Sequence, residues 1–338
     1  MQYELRYQVI EPKRQTYQNV IDRLGDQPAT RYQEATLDVE PRENFHYRPT
    51  WAQDRELYDE RYTALRLTDP YAYADPRSFY YTPYVTNRAA HHDEFGKTLA
   101  YVEQRDLLAK MPDGWKKMVG AVVVPLRHYE SGAQLISVAG ARFAYGTSLE
   151  QCCTFAAFDR IGNAQMLSRI GIAAGSGTAE VLTSAKQQWI EGDHLQPLRR
   201  MVEEAMAVED WAEGLLAIDH ADAVLYPLLY SALDEIALLE GGGAYSLVVQ
   251  HLTSWYADQR KWLDALLKTW AGDEQHGAAN RDAFRRINSD WAGRVVDAVT
   301  AIAVAVDEQL PKARAVEAAE RIAAEHKARW DELTGGQS

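Results

Sequence analysis

The sequence has little cysteine, no long apolar run and a shortage of basic charge, and each shortage excludes a class of protein. Cys152 and Cys153 are the only cysteines among 338 residues. Neighbours on a helix point about 100° apart and do not bridge, so we expect two small core residues and no disulfide framework. The longest apolar runs, 118–126 and 298–306, are about half the roughly 20 residues of a membrane span. With no apolar signal segment at the start, the sequence predicts a cytoplasmic protein.

The charge balance and the missing motifs exclude several further functions. Forty-nine acidic and 36 basic residues give a net charge of −13, which disfavours binding to nucleic acid or to anionic membranes. No GxxxxGK[ST] or GxGxxG loop, GxSxG elbow, HExxH string or paired CxxC occurs. Two Glu-x-x-His strings exist, Glu43–His46 and Glu191–His194, but prolines flank the first and Gly-Asp interrupts the second. For the first string, a surface contact of an extended N-terminal segment is a better explanation than a metal, and for the second a helix end is. The adjacent pair His91-His92 is more typical of a solvated loop.

The first 84 residues have an unusual composition. They contain 12 of the 19 tyrosines and 7 of the 12 prolines, but one glycine. This mixture is too aromatic for disorder and too rich in proline for long helices, so it predicts an extended arm that lies over a surface. Aromatic residues and arginine dominate the energetics of protein interfaces, which favours contact with another subunit over packing on the arm's own domain alone. The predicted contact residues are Tyr17, Tyr32, Phe45, Tyr47, Arg48, Trp51, Arg77, Phe79, Tyr80 and Tyr81.

From about residue 96 onward the apolar residues recur at helical spacing. We therefore predict an all-α protein with an arm at 1–95 and a helical domain at 96–338. Without a heptad seam or a fixed repeat, a large bundle is favoured over a coiled coil or a solenoid. Glycine and proline clusters separate helices predicted near 96–111, 114–131, 134–170, 178–192, 197–220, 222–240, 244–271, 279–308 and 312–333.

Two of these helices carry near-matches to a metal-binding pattern. Helical di-iron sites take a glutamate from each of two helices and a Glu-x-x-His from each of two others, because i, i+3 spacing places both side chains on one face. Here the strings read Asp-x-x-Gly and Asp-x-x-Lys, and one further acid precedes the first of them on a neighbouring helix. The positions of the vacated ligands are predicted to be Glu130, Asp159, Gly162, Asp258 and Lys261.

Several blocks of sequence resemble one known family, the β (small) subunit of the hydroxylase component of bacterial multicomponent phenol hydroxylases, which are soluble di-iron monooxygenases. The resemblance extends from near residue 10 to beyond residue 270. More distant relatives of the same architecture are the β subunits of toluene and propane monooxygenases. The blocks are RQTY at 14–17, GDQPATRYQEA at 25–35, NFHYRP at 44–49, DPRSFYY at 75–81, VPLRH at 124–128 and LSRIG at 167–171.

The resemblance implies a ferritin-like helical core preceded by an extended arm. It implies assembly with an α and a γ subunit as (αβγ)2, in a complex that hydroxylates phenol or related aromatics with O2. The di-iron centre would lie in the α subunit, while a reductase with FAD and [2Fe-2S] would deliver electrons from NADH and a regulatory protein would assist. This chain would then be a structural subunit without catalytic residues or metal ligands.

Three alternatives accompany this interpretation. The chain could be the β subunit of a related toluene or alkane monooxygenase, or a helical regulatory or binding module. It could also bind two metals itself, but Gly162 and Lys261 stand where that site needs histidines. We expect Lys261 instead to neutralise Asp258 in an internal ion pair that replaces the charge of the metal.

Overall fold

A computed structural model describes residues 17–25, 27–40, 50 and 52–335. Within these residues the regular structure is helical and no β-strand occurs, which confirms the all-α prediction. Some of the sequence predictions lie outside the described residues, namely Phe45, Tyr47, Arg48, Trp51 and the string Glu43–His46.

The described part of the chain forms a series of α-helices with a few short 3₁₀ and π turns. The 3₁₀ turns are Glu60–Tyr62, Asp193–Leu195 and Pro311–Ala313, and the π turns are Val119–Val123 and Leu228–Ala232. The α-helices are α1 Gln18–Leu24, α2 Arg31–Thr36, α3 Tyr81–Gln104, α4 Asp113–Met118, α5 Leu126–Phe143, α6 Thr147–Ala174, α7 Glu180–Glu191, α8 Gln196–Met206, α9 Trp211–Pro227, α10 Leu233–Leu239, α11 Gly243–Ala271, α12 Gly277–Gln309 and α13 Ala315–Leu333.

Helices α5, α6, α9 and α11 form a four-helix bundle that contains the centre of the core. Helices α12 and α13 cover the bundle on the side of α9 and α11. Helix α3 packs against α6 and α11, and α8 packs against α5 and α9. Large aromatic side chains are fully buried between these helices, among them Trp255, Trp262 and Trp270, so the packing of amphipathic faces accounts for the fold.

The predicted helix at 96–111 begins earlier than expected, since α3 starts at Tyr81, and the predicted boundary at residue 95 therefore falls inside a helix. Tyr84, Arg88 and Phe95 lie on the buried face of α3. Pro83 is tolerated in the first turn because the N–H it lacks would have no partner within the helix.

The predicted helix at 134–170 is interrupted at Gly146, which separates α5 from α6. Gly146 has φ +106°, and a Cβ atom there would lie 2.3 Å from the carbonyl oxygen of Pro70. Its N–H donates to the carboxylate of Glu40 at 2.8 Å. Only glycine fits this position, because the arm crosses the bundle there.

The predicted break near residue 221 is wrong, because α9 continues through this position to Pro227. The chain breaks instead just before α9. The side chain of Asp210 accepts hydrogen bonds from the N–H groups of Ala212 and Glu213, and thereby caps the start of that helix.

The last part of the arm packs on the bundle of its own chain. Tyr73 is 1% exposed, and its hydroxyl donates to the carbonyl oxygen of Trp262 at 3.0 Å. The N–H of Arg66 donates to Asn280 Oδ1 at 2.9 Å. For this segment the structure shows the contact with its own domain that the sequence left open as an alternative.

Candidate functional site: a buried charged network in the bundle

The centre of the four-helix bundle contains an arginine held between two carboxylates. Arg160 of α6, Glu130 of α5 and Asp222 of α9 are each at most 3% exposed. Arg160 Nη1 donates to Glu130 Oε2 at 3.2 Å and to Asp222 Oδ1 at 3.1 Å, while Nη2 donates to Asp222 Oδ2. Three of the four bundle helices are therefore joined by one guanidinium group.

Aromatic side chains enclose this network. The hydroxyl of Tyr129 donates to Asp222 Oδ1 at 2.6 Å, and the hydroxyl of Tyr226 donates to Glu130 Oε1. The guanidinium carbon of Arg160 lies 4.9 Å from the centre of the Trp255 ring on α11, the fourth helix. The π-face attracts the cation, which adds to the ion pairs in a region without water-exposed surface.

Burial and the ion pairs act in opposite directions on the pKa of each of these groups. Burial raises the pKa of Glu130 above its ordinary value, although Arg160 acts to lower it. Burial also acts to lower the pKa of Arg160, but the carboxylates of Asp222 and Glu130 outweigh it and raise that pKa well above the usual range. The guanidinium therefore stays charged, and it supplies the positive charge that holds the two acids in the core.

The residues at this place do not fit a di-iron site. The donor groups of Arg160 occupy carboxylate oxygens that a metal would need, and a guanidinium has no lone pair to offer. One turn further along α6 stands Asn163, whose amide lies 3.5 Å from the hydroxyl of Tyr226. On α11 the nearby side chains are Trp255 and Tyr256. In the described part of the chain, no group of three or more His, Cys, Asp or Glu side chains is arranged to hold a metal ion.

The five predicted ligand positions do not come together. Glu130 lies in the central network, whereas Asp159 and Asp258 meet at Arg88 of α3. Arg88 Nη2 is 2.7 Å from Asp159 Oδ2 and 2.7 Å from Asp258 Oδ2. Arg77 of the arm adds a contact of 3.4 Å to Asp258 and a bidentate pair with Asp75. The two acids therefore fasten α3 and the arm to the bundle.

The predicted internal pair of Lys261 with Asp258 is wrong in its location. Lys261 Nζ lies 3.4 Å from Asp258 Oδ1, but the lysine side chain is 62% exposed. Burial acts to raise the pKa of Asp258, and the guanidinium groups of Arg88 and Arg77 more than offset this and lower it. Buried arginines neutralise this acid because α3 and the arm cover it, and the exposed lysine contributes little.

Gly162 has a steric role. A Cβ atom at this position would lie 2.7 Å from Nε2 of His92 on α3. The absence of a side chain lets α3 approach α6 closely. His92 and His91 thus belong to a helix and not to the solvated loop predicted from the sequence.

The second Glu-x-x-His string also has a structural explanation. Glu191 ends α7, and His194 lies in the following 3₁₀ turn, as the sequence indicated. A ring nitrogen of His194 is 2.9 Å from the carbonyl oxygen of Ala121. The two side chains are separated by a helix end and do not form one site.

The predicted contact residues of the arm differ in how much surface they offer. Tyr17 and Tyr81 are 43% and 71% exposed. Tyr32 and Tyr80 are half-buried. The side chain of Arg77 is 3% exposed and Phe79 is 9% exposed, so both are used within their own chain and leave little area for a partner.

The comparisons with known proteins agree with this architecture. Residues 49–274 match the family model described as methane/phenol/alkene hydroxylase. The chain belongs to this family. The resemblance noted in the sequence is thereby confirmed.

Several relatives in the hydroxylase family are similar to this chain over most of its length. The oxygenase component DmpL of phenol 2-monooxygenase from Pseudomonas sp. (strain CF600) is 36% identical over 90% of this chain and 91% of its own length. The small subunit of the hydroxylase component of propane 2-monooxygenase from Mycolicibacterium goodii is 24% identical over 81% of this chain and 77% of its own length. A crystal structure of phenol hydroxylase from Pseudomonas sp. OX1 superimposes with a TM-score of 0.84 and 33% identity, over 94% of this chain and 98% of that one. The chain is thus homologous to a phenol hydroxylase component, and its ferritin-like fold is confirmed.

Sequence reasoning about this family member missed Arg160, Asp222 and Tyr226. A signal for the last two was present, because most residues of α9 are apolar. Charged or hydroxyl groups in such a helix usually face partners in the core. Arg160 directly follows Asp159, and both are buried. The pattern Asp159-x-x-Gly162 therefore concealed the neighbouring pattern, Arg160-x-x-Asn163, which faces the bundle centre.

Proposed function

We propose that this chain is the non-catalytic small (β) subunit of a multicomponent phenol hydroxylase. The observation that carries the proposal is the central network, in which Arg160 stands between Glu130 and Asp222. A permanent side-chain cation lies between the two acids, so the core of the bundle has a positive charge next to them without a metal ion. The function of these residues is to hold the helices in one arrangement.

The partners and cofactors follow from the same proposal. The chain assembles with a catalytic α subunit and a γ subunit as (αβγ)2, and the di-iron centre belongs to the α subunit. A partner reductase with FAD and [2Fe-2S] transfers electrons from NADH, and a regulatory protein completes the system. The cytoplasmic location remains a prediction from the sequence.

The comparison of relatives supports a phenol hydroxylase over an alkane hydroxylase. Identity is 36% to the phenol 2-monooxygenase component of Pseudomonas sp. (strain CF600) and 24% to the propane 2-monooxygenase small subunit of Mycolicibacterium goodii.

Among the described residues, none of the helices is apolar over a stretch long enough to span a membrane.

Metal analysis tests this proposal directly. The chain, expressed alone and incubated with ferrous iron and O2, should bind far less than one iron per chain and should not hydroxylate phenol. The complex with the α subunit, treated in the same way, is the control and should contain iron and be active once the reductase is added. Near-stoichiometric iron in the isolated chain, with the absorption of an oxo-bridged pair, would contradict the proposal.

A further inference from the structure

Helices α5 and α6 share an outer face that carries exposed apolar side chains. We define this outer face by residues at helical spacing on the two helices. Its apolar members Leu135, Val138, Phe158 and Ile161 are 50%, 40%, 50% and 46% exposed. The outer face consists of Arg127, Ser131, Leu135, Val138, Thr154, Phe158, Ile161, Gln165 and Ser168.

Contacts between the two helices show that these residues form one surface. Arg127 Nη1 lies 3.4 Å from Ser168 Oγ, at one end of the pair. Near the other end, a Cβ atom on Gly140 would lie 2.8 Å from Cys153 Sγ. The helices are therefore antiparallel and in a fixed alignment, which sets Leu135 and Phe158 at the same level along the pair.

The outer face lies on the side of the bundle opposite its covering helices. Helices α12 and α13 pack on α9, whereas the apolar residues of the outer face remain exposed. The outer face spans 12 residues of α5 and 15 residues of α6. Two helices about 10 Å wide therefore offer about 400 Å². This is about half of the roughly 800 Å² that each partner buries in a standard interface, so other parts of the chain would have to contribute the rest.

The outer face is free of exposed carboxylates, although the whole chain has a net charge of −13. The acids on α5 and α6 are Glu130 and Asp159, which are buried, and Glu150, which is half-buried in the first turn of α6. Arg127 stands at one end and forms no ion pair with any described residue. Its hydrogen bonds go to Ser168 and to the ring of its neighbour His128.

The charge distribution distinguishes between possible occupants. Two copies of this chain joined through the outer face would bring together two surfaces without a carboxylate, and Arg127 of either copy would find no counter-charge there. A different protein with an apolar surface and a carboxylate opposite Arg127 would cover the apolar residues and pair with the guanidinium. Resting on the proposed function, we infer that the outer face of α5 and α6 docks the catalytic α subunit, which supplies an apolar surface and an acid facing Arg127.

The experiment measures binding of the full-length chain to the α subunit co-expressed with γ. Leu135→Asp and Val138→Asp place a charge on the outer face. The matched controls are Val296→Asp and Val304→Asp on α12, where the side chains are 44% and 46% exposed. The outer-face variants should raise the Kd at least about tenfold, as expected for an apolar residue inside an interface, and the controls should change it less than about twofold.

A second variant tests the charge. Arg127→Gln should weaken binding and make it less sensitive to salt, while Arg200→Gln, at an exposed i, i+4 pair, should change neither. Circular dichroism and thermal melts of each isolated variant are recorded beside the binding data. We expect melts like that of the wild type, because the substituted apolar side chains are already about half exposed.

Several outcomes would overturn the inference. Equal binding by outer-face and control variants would place the interface elsewhere and leave the proposed function intact. A lower melting temperature confined to Leu135→Asp and Val138→Asp would show that a segment of the same chain covers the outer face. A dimer of the isolated chain that these variants dissociate would show that a second copy does so. If the wild-type chain does not bind the α subunit at all, the proposed function fails together with the inference.

Discussion

Replacing Arg160 by methionine should strongly destabilise the protein. The guanidinium is 2% exposed and contacts the carboxylates of both Glu130 and Asp222. Methionine fills a similar volume but leaves two buried acids without a counter-charge. Breaking a buried ion network by removing one member typically costs about 3–5 kcal/mol.

The loss should depend on pH in a defined direction. Burial already raises the pKa of Glu130 above its ordinary value of 4.5, despite the opposing effect of Arg160. A carboxyl group with a raised pKa in the folded state contributes stability at low pH that is lost as the pH rises through this pKa. Removing Arg160 raises the pKa of Glu130 further. The difference in free energy of unfolding between wild type and Arg160→Met should therefore widen from about pH 5 to about pH 8.

Urea unfolding followed by circular dichroism at several pH values measures both effects. The matched control is Arg200→Met, because Arg200 is 81% exposed in its pair with Glu204 and solvent screens such surface pairs, so they contribute little to stability. Combining Arg160→Met with uncharged replacements of both acids should recover part of the loss, since the penalty comes from unpaired buried charge. A loss below about 1 kcal/mol, or one that does not change with pH, would refute the idea that Arg160 neutralises the core.

Three further predictions concern the second ion network, a shifted acid and the arm. Arg88→Met should cost about 3–5 kcal/mol because it leaves the buried Asp159 without a counter-charge and leaves Asp258 with only its longer contacts. Lys261→Met, at a side chain 62% exposed, should cost less than about 1 kcal/mol, and equal losses in urea unfolding would contradict this. Burial raises the pKa of Glu150 to about 7, so the stability of the wild type should fall as the pH rises through this value. In thermal melts the melting temperature of Glu150→Gln should depend less on pH than that of the wild type, and an equal dependence on pH would disprove this. Deleting residues 1–50 should preserve the helical circular dichroism spectrum, because the later part of the arm is held on the bundle. The deletion should reduce co-purification with the α subunit, and full recovery of the complex would exclude the deleted residues from the interface.

Helix content and many helix ends could be predicted from the sequence because they depend on local chemistry. The segments predicted at 244–271 and 279–308 correspond to α11 and α12 within two residues at each end. Apolar spacing and terminal glycines act within a few turns of one helix. The start of α3 was missed because tyrosine and proline in the arm concealed the buried positions of its first turns.

The amino-acid sequence by itself also determined the family and the presence of acids on the core helices. The tertiary structure decided which charged residues face one another. Asp159 and Arg160 are neighbours, and a rotation of about 100° between them sends one towards α3 and the other towards the bundle centre. Lys261 and Arg88 are both cations within reach of Asp258, but only Arg88 is covered by packing. Such choices depend on the rotation and approach of helices far apart in the chain, and no local pattern encodes them.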